Sequence, residues 1–335
     1  MRITPSLLHK IARDTVAQRT RSDRDLLSVY LTGSLLDDDP LLGGTADIDL
    51  VFIHNEAPGV EREIQRMSDE VHLDIAHHSR DEYRWPRSLR LHPWLGPTLV
   101  KCKILYDPQH FMDFTQASVR SQFNQPDNVI GRARGQAEHA REIWFGLHDL
   151  RGTPGPDQIE LYLKAIDHVV NGVVSLAGSP LTERRFLLQL PARVDAIGHP
   201  GLYPGLLGLL GGAQVDAPRL RAWLPAWQSA YDSLGFLDAP TRLHPDRCYY
   251  YRRALDQIVE GNQPQNALWP LLHTWTQAIL LLAEDSPARP EWEAALNQLG
   301  LLEGGFEQRV AALDAYLDTI EEILDRWARA NGIDG

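Results

Sequence analysis

Cysteine is nearly absent from this 335-residue chain, with Cys102 and Cys248 the only two. Two thiols make neither a disulfide scaffold nor, alone, a four-ligand zinc site. Lysine is scarce as well. It occurs only as Lys10, Lys101, Lys103 and Lys164, so arginine supplies the other 29 of the 33 basic residues. Long apolar runs are missing too: the longest, Ala278–Ala283, falls far short of the ~20 residues of a membrane span. The opening Met1-Arg2-Ile3-Thr4-Pro5 lacks the apolar stretch and small-residue cleavage site of a secretory signal. A cytoplasmic protein with no membrane partner is the expectation.

Positive charge is outweighed, 33 basic residues against 45 acidic ones, for a net of −12. A chain that grips nucleic acid nonspecifically shows a basic field, and none is visible here. No aromatic-plus-basic platform for single strands is evident either. Nucleic acid is therefore set aside as a partner, and a cationic small molecule fits the balance better.

The remainder is ordinary for a globular chain. Hydrophobic residues make up 43% and charged residues 23%, which excludes disorder, and the length allows two or three domains. Residues 1–115 read as mixed α/β. Leu7, Leu8, Ile11, Ala12 and Val16 recur at helical spacing. Strand-length runs rich in Val, Ile, Tyr and Phe follow at Leu26–Leu31, Ile48–Ile53, Val71–Ala76 and Lys101–Tyr106. The stretch Pro58–Glu70 reads as a helix between the second and third runs. From 116 to 335 the pattern is helical, with segments Asp127–Arg151, Pro156–Ala177, Thr182–Ile197, Pro218–Leu234, Asp246–Glu260, Ala267–Glu284 and Phe306–Ala330 separated by Gly/Pro breakers. The predicted class is α+β: an N-terminal domain (1–115) with a small mixed or antiparallel sheet flanked by helices, and a C-terminal all-α bundle (116–335).

Chemistry concentrates in Ser28–Leu36 and Ala46–Phe52. A strand ends at Thr32, Gly33-Ser34 turns, and a helix is expected from Ser34. Gly33 lets backbone approach a ligand closely, and Ser34 offers a hydroxyl and N–H groups at a helix start, where phosphate is favoured. Asp47 and Asp49 flank Ile48, so strand alternation puts both carboxylates on one face. Two like charges there are costly without a cation between them, and magnesium is the natural one. Asp74, alone inside the apolar run Val71–Ala76, is equally costly to bury unpaired. If its strand lies beside that of Asp47 and Asp49, three carboxylates meet on a patch able to hold two metal ions.

Gly33-Ser34, then Asp47-Ile48-Asp49-Leu50, then Asp74 in a later strand resembles the DNA polymerase beta-type nucleotidyltransferase superfamily over residues 26–106. The resemblance implies that Gly33 and Ser34 bind a nucleoside triphosphate, ATP or another, that Asp47 and Asp49 hold Mg2+, and that Asp74 ligates the catalytic ion and helps activate the attacking hydroxyl. Two features depart from the pattern. Ala46 stands where small-molecule-modifying relatives usually carry Ser, and the loop 37–45 is longer and more acidic. Lys101 and Lys103, read as neighbours on one face of the last strand, are candidates to neutralise the triphosphate, or else blunt an edge strand. Zinc at His72, His77 and His78 is set aside, because adjacent strand residues face opposite ways.

A catalytic domain of this size followed by helices is similar to the aminoglycoside and lincosamide nucleotidyltransferases. That resemblance implies transfer of a nucleoside monophosphate, AMP first, to a hydroxyl of a small cationic acceptor with release of pyrophosphate, in a cleft expected between the halves. The polar stripe Glu160, Lys164, Asp167 and Asn171 is either a solvated face or a wall meeting the acceptor, with Glu138 and Glu142 as alternatives. Trp223, Trp227 and Tyr231 form one helical stripe, either a packed seam or a stacking wall. The alternatives to a small acceptor are a protein target and a nucleotide sensor without turnover.

Overall fold

Strand alternation sorts the first 128 residues into two cores. In the computed structural model, which describes residues 3–149, 152–235 and 239–333, the order begins with α1 (Pro5–Ser22), β1 (Leu26–Thr32), β2 (Ala46–His54), β3 (Arg62–Arg66) and β4 (Val71–Ser79). It continues with α2 (Leu95–Lys101), β5 (Lys103–Tyr106) and α3 (Phe111–Arg120). The strands form one mixed sheet in the order β3-β4-β2-β1-β5. β2 runs parallel to β4, and the other three pairings are antiparallel.

Helix α1 starts on a Thr4 cap, whose Oγ1 accepts from the Leu7 N–H at 3.3 Å, with Pro5 just inside. It buries Leu8, Ala12 and Val16 against one face of the sheet, with Val29, Leu31, Ile48, Leu50, Phe52, Leu73 and Ile75. The alternate residues Tyr30, Val51 and Ile53 face the other way and pack with Tyr83, Leu89, Leu99, Met112 and Val119. Asp47, Asp49 and Asp74 are in phase with this second set.

The chain divides into two compact units, Met1–Asn128 and Val129–Gly335. The change of texture near 115 precedes this division because α3 contributes Met112 and Val119 to the second core of the sheet. Two predicted helices are overturned. The stretch expected as the helix Pro58–Glu70 holds β3 instead, which pairs with β4 through Ile64 opposite Asp74 and Arg62 opposite Ala76. β3 lies at the sheet edge, where polar residues are the rule, and its sequence Arg-Glu-Ile-Gln-Arg lacks the apolar alternation that marks an inner strand. The helix expected from Ser34 is a single 3-10 turn, Gly33–Leu36.

The second unit contains α4 (Pro126–His148), α5 (Pro156–Val174), α6 (Phe186–Ala196), α7 (Leu202–Leu209), α8 (Ala217–Asp232), α9 (Cys248–Glu260), α10 (Leu268–Leu281), α11 (Arg289–Leu299) and α12 (Glu303–Ala330). Every segment read as helical has its counterpart here, the last two residues of Asp127–Arg151 lying outside the described residues; the short α7 and α11, carrying Pro204 and Pro290, were not foreseen. The aromatic stripe of α8 is a packed seam. Trp223, Trp227 and Tyr231 are buried, and Trp227 Nε1 donates to Thr274 Oγ1 of α10 at 2.9 Å. Among the described residues no helix is long and apolar enough to cross a membrane.

Candidate active site

The parallel pairing of β2 with β4 sets Asp49 directly opposite Asp74 and Asp47 opposite His72. In parallel strands, paired residues project to the same side of the sheet. All three acids foreseen in the sequence are thus brought to one face. The Asp74 side chain is 1% exposed. Asp47 is buried too, its Oδ1 3.8 Å from Nδ1 of the buried His72.

β1 ends beside this pair, with Thr32 opposite Asp49. Gly33 then adopts φ +76°, a left-handed conformation that favours glycine. A Cβ at Gly33 would overlap the Asp49 carboxylate, 2.6 Å from its Cγ. The turn therefore closes over Asp49 only because the residue is glycine. Ser34 Oγ donates to the Pro40 carbonyl at 3.4 Å, so the hydroxyl braces the 37–45 loop.

A cleft of about 390 Å³ opens on this face, lined among others by Thr32, Asp49, Arg62, Asp74, His78 and His92. Two of its lining residues, His78 and Tyr30, are joined behind the wall by the buried Tyr83: His78 Nδ1 meets Tyr83 Oη at 2.6 Å, and Tyr83 Oη meets Tyr30 Oη at 2.9 Å. Burial holds His78 below the usual histidine pKa, with Glu82 acting the other way. Burial lowers His92 likewise. Its Nδ1 accepts the N–H groups of Trp94 and Leu95 at 3.2 and 3.0 Å, which leaves the proton on Nε2.

Arg62 is the charged group of this cleft that sequence reading did not single out. From β3 its Nε donates to Asp74 Oδ1 at 2.6 Å and its Nη2 to Oδ2 at 2.7 Å, a two-pronged ion pair. Nothing in the run Glu61–Arg66 marks this arginine out; only the β3–β4 pairing brings it to the acid. The donors suit magnesium, since they are all carboxylate oxygens. In the arrangement described, no three His, Cys, Asp or Glu side chains among the described residues gather closely enough to hold a metal ion. Both oxygens of Asp74 are engaged by Arg62.

The lysines are not neighbours on one strand face. Lys101 closes α2, and Lys103 opens β5 opposite Leu31, whose side chain belongs to the core beneath α1. Lys103 acts electrostatically on His9 of α1, helping to lower that histidine. Its side chain is therefore on the face opposite the carboxylates. The expectation failed because Cys102 ends the helix between the two lysines and resets the alternation. The remaining histidines of β4 split as alternation requires. His78 faces the cleft, while His77 bonds His54 at 2.8 Å and Glu63 at 3.0 Å.

In the helical unit the polar stripe of α5 is divided: Lys164 is exposed, whereas Glu160, Asp167 and Asn171 are held by neighbouring side chains. Glu160 Oε1 lies 3.4 Å from His273 Nε2 and accepts from Gln277 Nε2 at 2.8 Å. Asp167 accepts from Asn171 Nδ2 at 2.9 Å, and burial pushes its carboxyl up to about 6. Glu183 lies 2.9 Å from His273 Nδ1 and pairs with Arg242. Burial alone would lower His273, but the carboxylates of Glu183 and Glu160 outweigh it and raise the imidazole to about 9. Glu138 and Glu142 are exposed on α4. No protein-family model matches the chain, and no curated protein matches it.

Proposed function

We propose that the chain is a magnesium-dependent nucleotidyltransferase of the DNA polymerase beta type, moving a nucleoside monophosphate, AMP first, from a triphosphate to a hydroxyl of a small cationic acceptor. The observation that carries this reading is the pairing of Asp49 with Asp74 in adjacent parallel strands, beside a Gly33 turn that closes over Asp49. Two carboxylates fixed side by side on a sheet face repel each other unless a cation joins them.

Asp47, Asp49 and Asp74 would hold magnesium, which when bound supplies charge neutralisation on the triphosphate. Gly33 and Ser34 present backbone to the phosphates at the end of β1. Asp74 takes the proton of the acceptor hydroxyl as that oxygen attacks the α-phosphorus. The bond to the β-phosphate oxygen breaks, and pyrophosphate leaves. Catalysis then rests on positioning and charge rather than on a covalent enzyme intermediate. The cationic acceptor is supported by the acidity of the chain. Residues 1–115 carry 14 basic and 18 acidic residues, leaving 19 and 27 for 116–335.

The test is pyrophosphate release with ATP, GTP, CTP or UTP, magnesium and a panel of polyamine and amino-sugar acceptors. Release that depends on one acceptor and disappears in Asp47→Ala/Asp49→Ala supports the assignment; release that survives the double change overturns it. The Arg62–Asp74 pair favours one second reading, a nucleotide-binding protein without turnover. Calorimetric triphosphate binding with no pyrophosphate released would select it.

A further inference from the structure

Asp74 and Arg62 are unequally held. The Asp74 side chain is 1% exposed, fixed in an inner strand between β2 and β3, whereas the Arg62 side chain is 46% exposed on the edge strand. Arg62 stands opposite Ala76, not Asp74, so its side chain runs back along the sheet face to reach the carboxylate. Its fork takes both oxygens, Oδ1 at 2.6 Å and Oδ2 at 2.7 Å. A carboxylate so deeply buried needs a compensating charge, the more so with Asp49 beside it in register.

A guanidinium that engages both oxygens and a divalent cation bound to the same oxygens exclude each other, by geometry and by like charge. We propose that Arg62 is a built-in counter-cation that holds Asp74 in place and must leave it before a divalent ion is bound there, so that Arg62 sets the metal affinity of the site. This rests on the nucleotidyltransferase reading of the three carboxylates. The buried acid stays fixed while the half-exposed arginine moves, its long side chain swinging out toward solvent from the sheet edge. Arg62 is in these terms a positioning residue: it acts through Asp74 and keeps two carboxylates from repelling each other while no metal is bound.

The experiment is a Mn2+ titration of the full-length chain, free Mn2+ being read by its paramagnetic resonance signal, without nucleotide or turnover. Arg62→Gln removes the charge and keeps much of the side chain. Its Mn2+ affinity is expected to exceed that of the parent chain by about tenfold or more, the scale on which a neighbouring charge shifts proton binding to a carboxylate. Adding Asp49→Asn to Arg62→Gln is expected to abolish the gain. Arg62→Lys keeps the charge but loses the fork, and is expected to fall between; it serves in place of Arg62→Gln if circular dichroism shows that variant unfolded. Mn2+ binding by the parent chain that is equal or tighter than that of the Arg62 variants overturns the role of Arg62 and leaves the nucleotidyltransferase reading standing. No Mn2+ binding by any of the chains overturns both.

Discussion

Gly33 and Asp49 occupy a single space: the turn after β1 passes so close to the Asp49 carboxylate that a methyl group at Gly33 would overlap it. The turn and the acid are thereby fixed together, one at the end of β1 and the other opposite Thr32 in β2. Gly33→Ala meets both the overlap and the left-handed φ of +76°. It is expected to destabilise the protein by about 1–3 kcal/mol and to remove the proposed nucleotidyl transfer. A denaturant titration beside a pyrophosphate assay measures both effects.

Lys103 faces α1 rather than the carboxylates, so Lys103→Ala is expected to leave pyrophosphate release near that of the parent chain. Asp49→Asn, by contrast, should abolish it. A large loss in the lysine variant would return a phosphate role to Lys103.

The charge cluster of the helical unit carries a pH dependence. The folded protein raises His273 from 6.5 to about 9, by carboxylate attraction that exceeds the cost of burial. A raised histidine contributes stability that is complete below pH 6.5 and is lost as pH rises through 9. Stability is therefore expected to fall by about 1–3 kcal/mol between pH 6.5 and 9. In His273→Gln that alkaline slope should be absent. Asp167, raised by burial to about 6, adds a decline of the same sign between its unfolded value and pH 6. Chemical denaturation at a series of pH values reads both.

Thr274→Val removes the acceptor of the Trp227 indole N–H, a hydrogen bond of 2.9 Å in the core of the helical unit. Leaving a buried donor unmet costs about 1–3 kcal/mol, to be read as a lower midpoint in thermal or urea unfolding. Val matches Thr in shape, so cavity formation contributes little.

The strands were legible because β1, β2 and β4 have both faces covered and show it as apolar runs, while the acids interrupt those runs in phase. Asp47 and Asp49 sharing a face follows from alternation alone. The α8 stripe was legible for the same kind of reason, since Trp223, Trp227 and Tyr231 repeat at the pitch of a helix. β3 was not legible. An edge strand needs no apolar face, and Arg62–Arg66 resembles the surface of a helix as readily as a strand edge.

The sequence by itself determined which residue types stand where: a glycine–serine turn, two acids with one residue between them, and a third acid stranded in an apolar run. Local periodicity carries that information, because side-chain direction within one strand depends only on the parity of position. What joins Asp49 to Asp74, sets Arg62 across Asp74, and turns Lys103 away from them is strand pairing, which couples residues far apart in the chain. Register and sheet order follow from the packing of both sheet faces at once. No single segment contains them, and only the tertiary structure decided that the third acid meets an arginine.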